Sequence, residues 1–173
     1  ETLSDMKRLV DGGALAAVDP VAVWPCLAKG LMGEQPSRMF VALRDCGALV
    51  SVLPEIEALF GQFQSADESD QVDIGEHQWR VLDKTAAVHA VLPVRFAALV
   101  FNLGKADSPP QHLPAHYRHV DRCLPRIEAI CARFELAPEL HELALLVAME
   151  LERVHRAASM RAASITALLE RVD

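Results

Sequence analysis

Aromatic side chains are scarce in this sequence, at 5%, with a single tyrosine. Strands are enriched in aromatic residues, whereas Ala, Leu and Val dominate here, and small or straight-chain residues lose little freedom in a helix. The shortage points to an all-α protein. Cysteine is also sparse. Cys26, Cys46, Cys123 and Cys131 are far apart, form no C-x-x-C pair and sit in apolar helical contexts. That excludes a disulfide framework or zinc knuckle and predicts buried free thiols. No apolar run is long enough to span a bilayer and no signal peptide is present, so the reading is no membrane and a cytoplasmic location. A glycine-rich phosphate loop, a G-x-S-x-G elbow and a cysteine in a cationic setting are all missing, and with them the motifs for nucleotide cradling, serine hydrolysis and thiol catalysis. Internal repeats and low-complexity tracts are absent as well. Basic residues are the minority charge, 17 against 24 acidic, for a net −7. Binding to nucleic acid by bulk electrostatics is thereby excluded, although a local basic face is not.

What is present begins with hydrophobic content of 51% in 173 residues, ample for a core in one domain or two small ones. The most apolar stretch runs from Pro93 to Lys105, interrupted only by Arg95 and Asn102 before Gly104. It predicts a central helix buried on most sides, opened by Pro93 and stopped by Gly104 in the left-handed conformation, with Lys105 at the negative end of the dipole. Asn102, a polar group embedded in hydrocarbon, is the first place to look for chemistry.

Other elements should wrap around this helix. An amphipathic turn or two spans residues 4–11 and closes at Gly12-Gly13. Asp19-Pro20 opens a second helix by the cap-then-proline signature, ending before Gly30. A third runs from about Pro36 to Cys46-Gly47, and 49–60 is an apolar segment broken at Pro54. Lys7, Arg8, Lys29, Arg38 and Arg44 make this front portion the least acidic part of the chain. Residues 61–69 read as a polar loop, with an acidic run over 65–70 marking a boundary. Asp73 caps a helix from about Ile74 to His89, the Pro-rich stretch 106–114 loops over the surface, and helices follow over 116–134, 138–153 and 159–172.

Seven histidines raise a metal hypothesis. Asp73 and His77 are four apart, and His116 and His119 three apart, so each pair can share a face. By context, His89, His112, His141 and His155 are set aside. The competing account makes Asp73 a helix cap and the histidines packing groups.

Several motifs carry a resemblance. Lys29-Gly-Leu-Met32, Pro36-Ser-Arg-Met-Phe40, Leu43-Arg-Asp-Cys-Gly-Ala-Leu49 and Leu53-Pro-Glu-Ile56 resemble the RNA-binding segment of bacterial CCA-adding tRNA nucleotidyltransferases. Arg95-Phe-Ala-Ala-Leu-Val-Phe-Asn-Leu-Gly-Lys105 and Val154-His-Arg-Ala157 resemble the HD domain at the C-terminus of some of these enzymes. The resemblance implies a helical bundle, with a small N-terminal helical subdomain of RNA-binding type (1–64) followed by a degenerate HD-like helical core (65–173).

It further implies tRNA as partner, through Lys7, Arg8, Lys29, Arg38 and Arg44, and a catalytic head using Mg, ATP and CTP. This chain lacks the head's Asp-x-Asp motif and is expected to be inactive alone, with no cofactor of its own. Beginning at Glu1, it reads as a piece of something longer. Where the family's His-Asp pair binds metal, this chain has Phe101-Asn102, and Ser69 and Leu151 stand where further histidines are expected. His77, His116 and His119 match, so with Asn102 they are the vestigial metal candidates. The alternative function is a metal-dependent phosphohydrolase, acting on 2′,3′-cyclic or monoester phosphates through a rebuilt site that gathers those residues. A third reading makes the second half a packing or homodimerisation module.

Overall fold

A computed structural model describes residues 2–65 and 70–172; Ser69 and most of the acidic run lie outside the described residues. Its helices are α1 (Leu3–Asp11), α2 (Pro20–Leu31), α3 (Ser37–Asp45), α4 (Leu49–Val52), α5 (Pro54–Glu57), α6 (Ile74–Ala87), α7 (Leu92–Val100), α8 (His119–Arg133), α9 (Pro138–His155) and α10 (Ala162–Val172). The fold is all-α apart from one small ribbon. Short strands β1 (Phe63–Ser65) and β2 (Gln71–Asp73) pair antiparallel with Phe63 opposite Asp73 and Ser65 opposite Gln71, where the sequence reads as loop. No helix among the described residues is long and apolar enough to cross a membrane.

Local chemistry explains several boundaries. Asp19 Oδ1 accepts from the Val21 amide at 2.9 Å, capping α2, and Asp73 Oδ1 accepts from the Glu76 amide at 3.1 Å, capping α6. Pro54 separates α4 from α5 and occupies the first turn of the latter.

The central helix is as buried as expected, with Arg95 through Val100 all in the core, but it is shorter. The α-helix ends at Val100, and a 3₁₀ turn over Leu103–Lys105 completes the stretch. Gly104 is not a left-handed stop, since the glycines with positive φ are Gly13, Gly47 and Gly61. It is glycine because α8 passes directly over it: a Cβ there would collide with the His119 carbonyl and lie 2.7 Å from the Cys123 amide. The helix expected over 116–134 starts only at His119, because His116 and Arg118 have φ of 54° and 59°, outside helical space. Three cysteines are buried as predicted, but Cys26 is exposed on α2.

One hydrophobic core runs through both halves of the chain, from Leu27, Phe40 and Ile56 to Leu99, Ile127 and Ala144. Most of the few aromatics lie where the halves meet. Trp24 meets Phe96 edge-on at 5.7 Å, and Trp79 stacks on Phe40 at 5.2 Å and lies 5.4 Å from Phe60. Such pairs add roughly 0.5–1.5 kcal/mol beyond the area they bury. Polar groups cross the same seam. Asp83 on α6 accepts from the Ser37 amide (3.1 Å) and hydroxyl (2.7 Å), supplying α3 with the N-terminal cap its own sequence lacks. Arg95, 4% exposed, donates from Nη1 to the carbonyls of Leu31, the last residue of α2, and of Gly33 just beyond it, and from Nε to that of Ala90, each at 2.8 Å.

Candidate functional site

Asn102 and Lys105 of the central stretch face a cavity of about 280 Å³ lined by β1, α6, the 3₁₀ turn, α8 and α9. In a 3₁₀ turn, positions i and i+3 eclipse, so Asn102 and Lys105 share one side. His77, one turn into α6, and His119, the first residue of α8, complete that wall, and Gln64 and Ser65 border it from β1. Opposite stand Ala148, the adjacent Leu151 and Glu152, and His155, whose i, i+3 and i+4 spacings put them on one stripe of α9. His155, set aside from the sequence, therefore belongs to the site. Gln64, Ser65, Lys105, Ala148 and Glu152 are the other lining residues that were not among the sequence candidates. The α9 spacing was the one available signal.

His116 does not join them. It is 1% exposed, its Nε2 donates to the Phe63 carbonyl at 2.8 Å, and its Nδ1 accepts from the Ser108 hydroxyl at 2.7 Å, which in turn accepts from Arg122 Nη2. Both ring nitrogens are thus occupied in pinning β1 to the 106–118 loop. Asp73 is likewise committed to its cap and to the Gly61 amide at 2.7 Å. His119 Nδ1 donates to the His116 carbonyl at 3.2 Å, which leaves Nε2 toward Glu152 Oε1 at 3.7 Å.

Asn102 is 1% exposed, and its orientation is dictated from behind. The Ala98 carbonyl can only accept, so Gln78 turns its amide nitrogen toward it, and Gln78 Oε1 then faces outward to accept from Asn102 Nδ2 at 3.1 Å. The Oδ1 of Asn102 is left buried without a hydrogen-bond partner. Asn102 is thereby built into the core on one side while lining the cavity on the other.

The donor set does not fit a divalent metal. Among the described residues, no group of three or more His, Cys, Asp or Glu is placed to hold one. Phe101 lines the cavity with hydrocarbon, Leu151 does the same from α9, and Lys105 contributes positive charge where a hard cation needs carboxylates.

Burial is the first cause of every pKa displacement here. It holds His77, His116 and His119 below the usual 6.5, with Lys105 adding to the effect, and it lowers the Lys105 ammonium against the opposing pull of Glu152. Unfolding returns each imidazole to its ordinary value. Between the lowered values and 6.5 the unfolded chain therefore binds more protons than the folded one, and the unfolding free energy falls as pH drops through that window. The histidine contribution should be flat above pH 7 and then decline as pH falls, with a slope of up to about 1.4 kcal/mol per pH unit for each histidine inside its window. Urea melts from pH 8 to 5 check this; stability unchanged or rising toward pH 5 would contradict it.

The five front cations are all exposed, on α1, α2 and α3. Arg8 pairs with Asp5, and Arg44 pairs with Glu57 at 3.0 Å while lying 3.7 Å over the Phe60 ring. Lys7, Lys29 and Arg38 have no ion partner among the described residues.

Over all 173 residues the chain is 46% identical to the multifunctional CCA protein of Ralstonia nicotianae, of which it spans 40%. It is 46% identical to the proteins of the same name from Burkholderia mallei and Paraburkholderia phymatum, spanning 42% of each. The chain thus spans about two fifths of the length of these relatives. No protein-family profile matches it, and no solved structure does.

Proposed function

We propose that this chain, similar along its whole length to part of the multifunctional CCA proteins, is the tRNA-holding helical region of a cytoplasmic CCA-adding tRNA nucleotidyltransferase. The full-length 46% identity is the observation that carries this reading. Nucleotide addition, with its Mg, ATP and CTP, is assigned to a head outside this chain, for which the chain supplies a rigid helical mount. Lys7, Lys29 and Arg38, without an ion partner among the described residues, are the phosphate contacts in this reading, whereas Arg8 and Arg44 serve the fold through their pairs. The HD-like half acts as a scaffold.

Filter binding of a tRNA transcript across a salt series tests the assignment. The triple variant Lys7→Ala, Lys29→Ala, Arg38→Ala should bind more weakly, and the slope of log K against log salt should become shallower by about one unit per lost contact. Unchanged affinity and slope would remove these residues from the interface.

The competing reading, a metal-dependent phosphohydrolase, draws on the convergence of His77, His119 and Asn102 at one cavity. Against it stand Phe101-Asn102 in place of the His-Asp pair, the absence among the described residues of any group of three or more His, Cys, Asp or Glu placed to hold a metal, and the commitment of His116 elsewhere. A 2′,3′-cyclic phosphodiesterase assay with added nickel or magnesium separates the two: turnover lost in His119→Ala would favour the hydrolase.

A further inference from the structure

The last turn of α9, the 3₁₀ turn after it (Ala157–Ser159) and α10 carry charge opposite in sign to that of the whole chain. From Arg153 to Leu169 the sequence holds Arg153, Arg156 and Arg161 and neither Asp nor Glu, and Arg171 follows, in a molecule of net charge −7. All four are arginines; the run has no lysine.

The fold anchors two of them on one buried carboxylate. Glu150, 3% exposed, pairs through Oε2 with Arg153 Nη1 and through Oε1 with Arg171 Nη2, each at 2.8 Å. A carboxylate at that depth is costly without partners, so the two arginines clamp α10 onto α9. Two cations on one carboxylate leave a net positive charge. A guanidinium has five N–H donors, and these side chains, 31% and 53% exposed, keep donors to spare. Beside the clamp, Arg153, Arg156, Ser159, Met160 and Ser164 line a cavity of about 430 Å³. Arg156 Nε donates to the Glu152 carbonyl at 3.3 Å, and Arg161 directly precedes α10. Neither has an ion partner among the described residues. The nearby carboxylates do not quench the cluster: Glu152 leans toward His119, at 3.7 Å, and Glu170 is exposed and unpaired among the described residues.

Planar guanidinium forks match phosphate oxygens two at a time, and several of them along one groove suit a chain of phosphates better than a single sequestered anion. A lipid surface offers the same phosphate chemistry but needs apolar side chains on the cationic side. Ser164, Leu168 and Arg171 share the stripe of α10 that meets α9, whereas Leu169, the most exposed apolar residue of α10, is two positions from Arg171 and faces another way.

We propose that the groove between α9 and α10 is a second RNA contact, in which Arg153, Arg156, Arg161 and Arg171 hold backbone phosphates. The choice of RNA as the polyanion rests on the tRNA-holding reading above. The groove gives the second half of the chain a binding role beyond that of scaffold, on elements separate from α1, α2 and α3.

Arg156→Ala combined with Arg161→Ala removes the two unpaired guanidiniums and leaves the Glu150 clamp intact, so the double variant should melt with the parent. In filter binding of a tRNA transcript to the whole chain it should bind more weakly, with a slope of log K against log salt shallower by about two units. Its deficit should therefore shrink more than about tenfold between 50 and 200 mM salt. Arg156→Lys with Arg161→Lys keeps the charge and should restore the slope; a lysine pair as shallow as the alanine pair would overturn the contact. The front triple variant separates the two readings. If it weakens binding while the α9–α10 double variant leaves affinity and slope unchanged, this proposal falls and the tRNA-holding reading stands. If only the double variant weakens binding, the groove is supported and the front cations leave the interface. A chain that binds no tRNA overturns both. Sedimentation with phosphatidylglycerol vesicles covers the lipid alternative: capture lost in the double variant, with tRNA affinity unchanged, overturns the proposal. Should the double variant melt early, Arg156→Gln and Arg161→Gln taken singly decide, each with an expected slope shift of about one unit.

Discussion

Asn102→Asp is expected to destabilise the protein by about 3 kcal/mol at neutral pH, although it restores the residue type of the resembled metal site. The substitution replaces the amide nitrogen that donates to Gln78 Oε1 with an oxygen, so two acceptors face each other in the core. Gln78 cannot turn to relieve this, because its own nitrogen is held by the Ala98 carbonyl. The new carboxylate would be buried, and its pKa would rise above the usual carboxylate range. Acidification should therefore reduce the penalty, since a protonated carboxyl can donate to Gln78 where the carboxylate cannot. Thermal melts of both proteins between pH 4 and 8 test this, and a variant as stable as the parent at pH 8 would refute it. Adding Phe101→His and millimolar nickel or magnesium extends the test. No recovery of stability is expected, whereas a metal-dependent rise in melting temperature would show that the remaining groups still assemble a site.

Arg95→Met should cost more, about 4 kcal/mol, which for a chain of this size corresponds to a fall in melting temperature of roughly 8–16 °C. Methionine fills similar space, so the loss isolates hydrogen bonding. Three carbonyls, of Leu31, Gly33 and Ala90, lose their donor at once, and Leu31 is fully buried. Two of the three lie just beyond or at the end of α2, where carbonyls have no partner within the helix. Arg95→Lys should fall between parent and methionine, because an ammonium reaches fewer of these acceptors. A methionine variant that melts with the parent would mean that water replaces the guanidinium without penalty.

Much of the architecture was legible before any coordinates. Asp19 and Asp73 announce helix starts because a side-chain carboxylate satisfies local amides, and those are short-range effects that sequence carries. The burial of residues 95–100 is equally legible, since no face of that stretch is polar enough for solvent. What was illegible depended on residues distant in sequence. The need for glycine at 104 follows from the approach of α8, and the cap of α3 resides on α6. The ribbon of β1 and β2 escaped notice because three-residue strands are too short to show alternation. At the candidate site, two of the three matching histidines line one cavity. His77 and His119 belong, while His116 is diverted by the Phe63 carbonyl and the Ser108 hydroxyl, partners that no spacing rule connects to it. Lys105 was read only as a helix terminator, although the 3₁₀ turn rotates it beside Asn102.

The joint formed by Ser37 with Asp83, Arg95 with the end of α2, and Trp79 between Phe40 and Phe60 also constrains how such chains can be recombined. A chimera that takes residues 1–64 from one relative and the remainder from another inherits half of each bond. Its α3 would depend on a foreign side chain at position 83 for its cap, and its α2 on a foreign side chain at 95 for its terminal carbonyls. Compatible swaps would have to carry Asp83, Arg95 and Trp79 together with the front helices, so the unit that can be exchanged is set by this joint and not by the acidic stretch in the sequence.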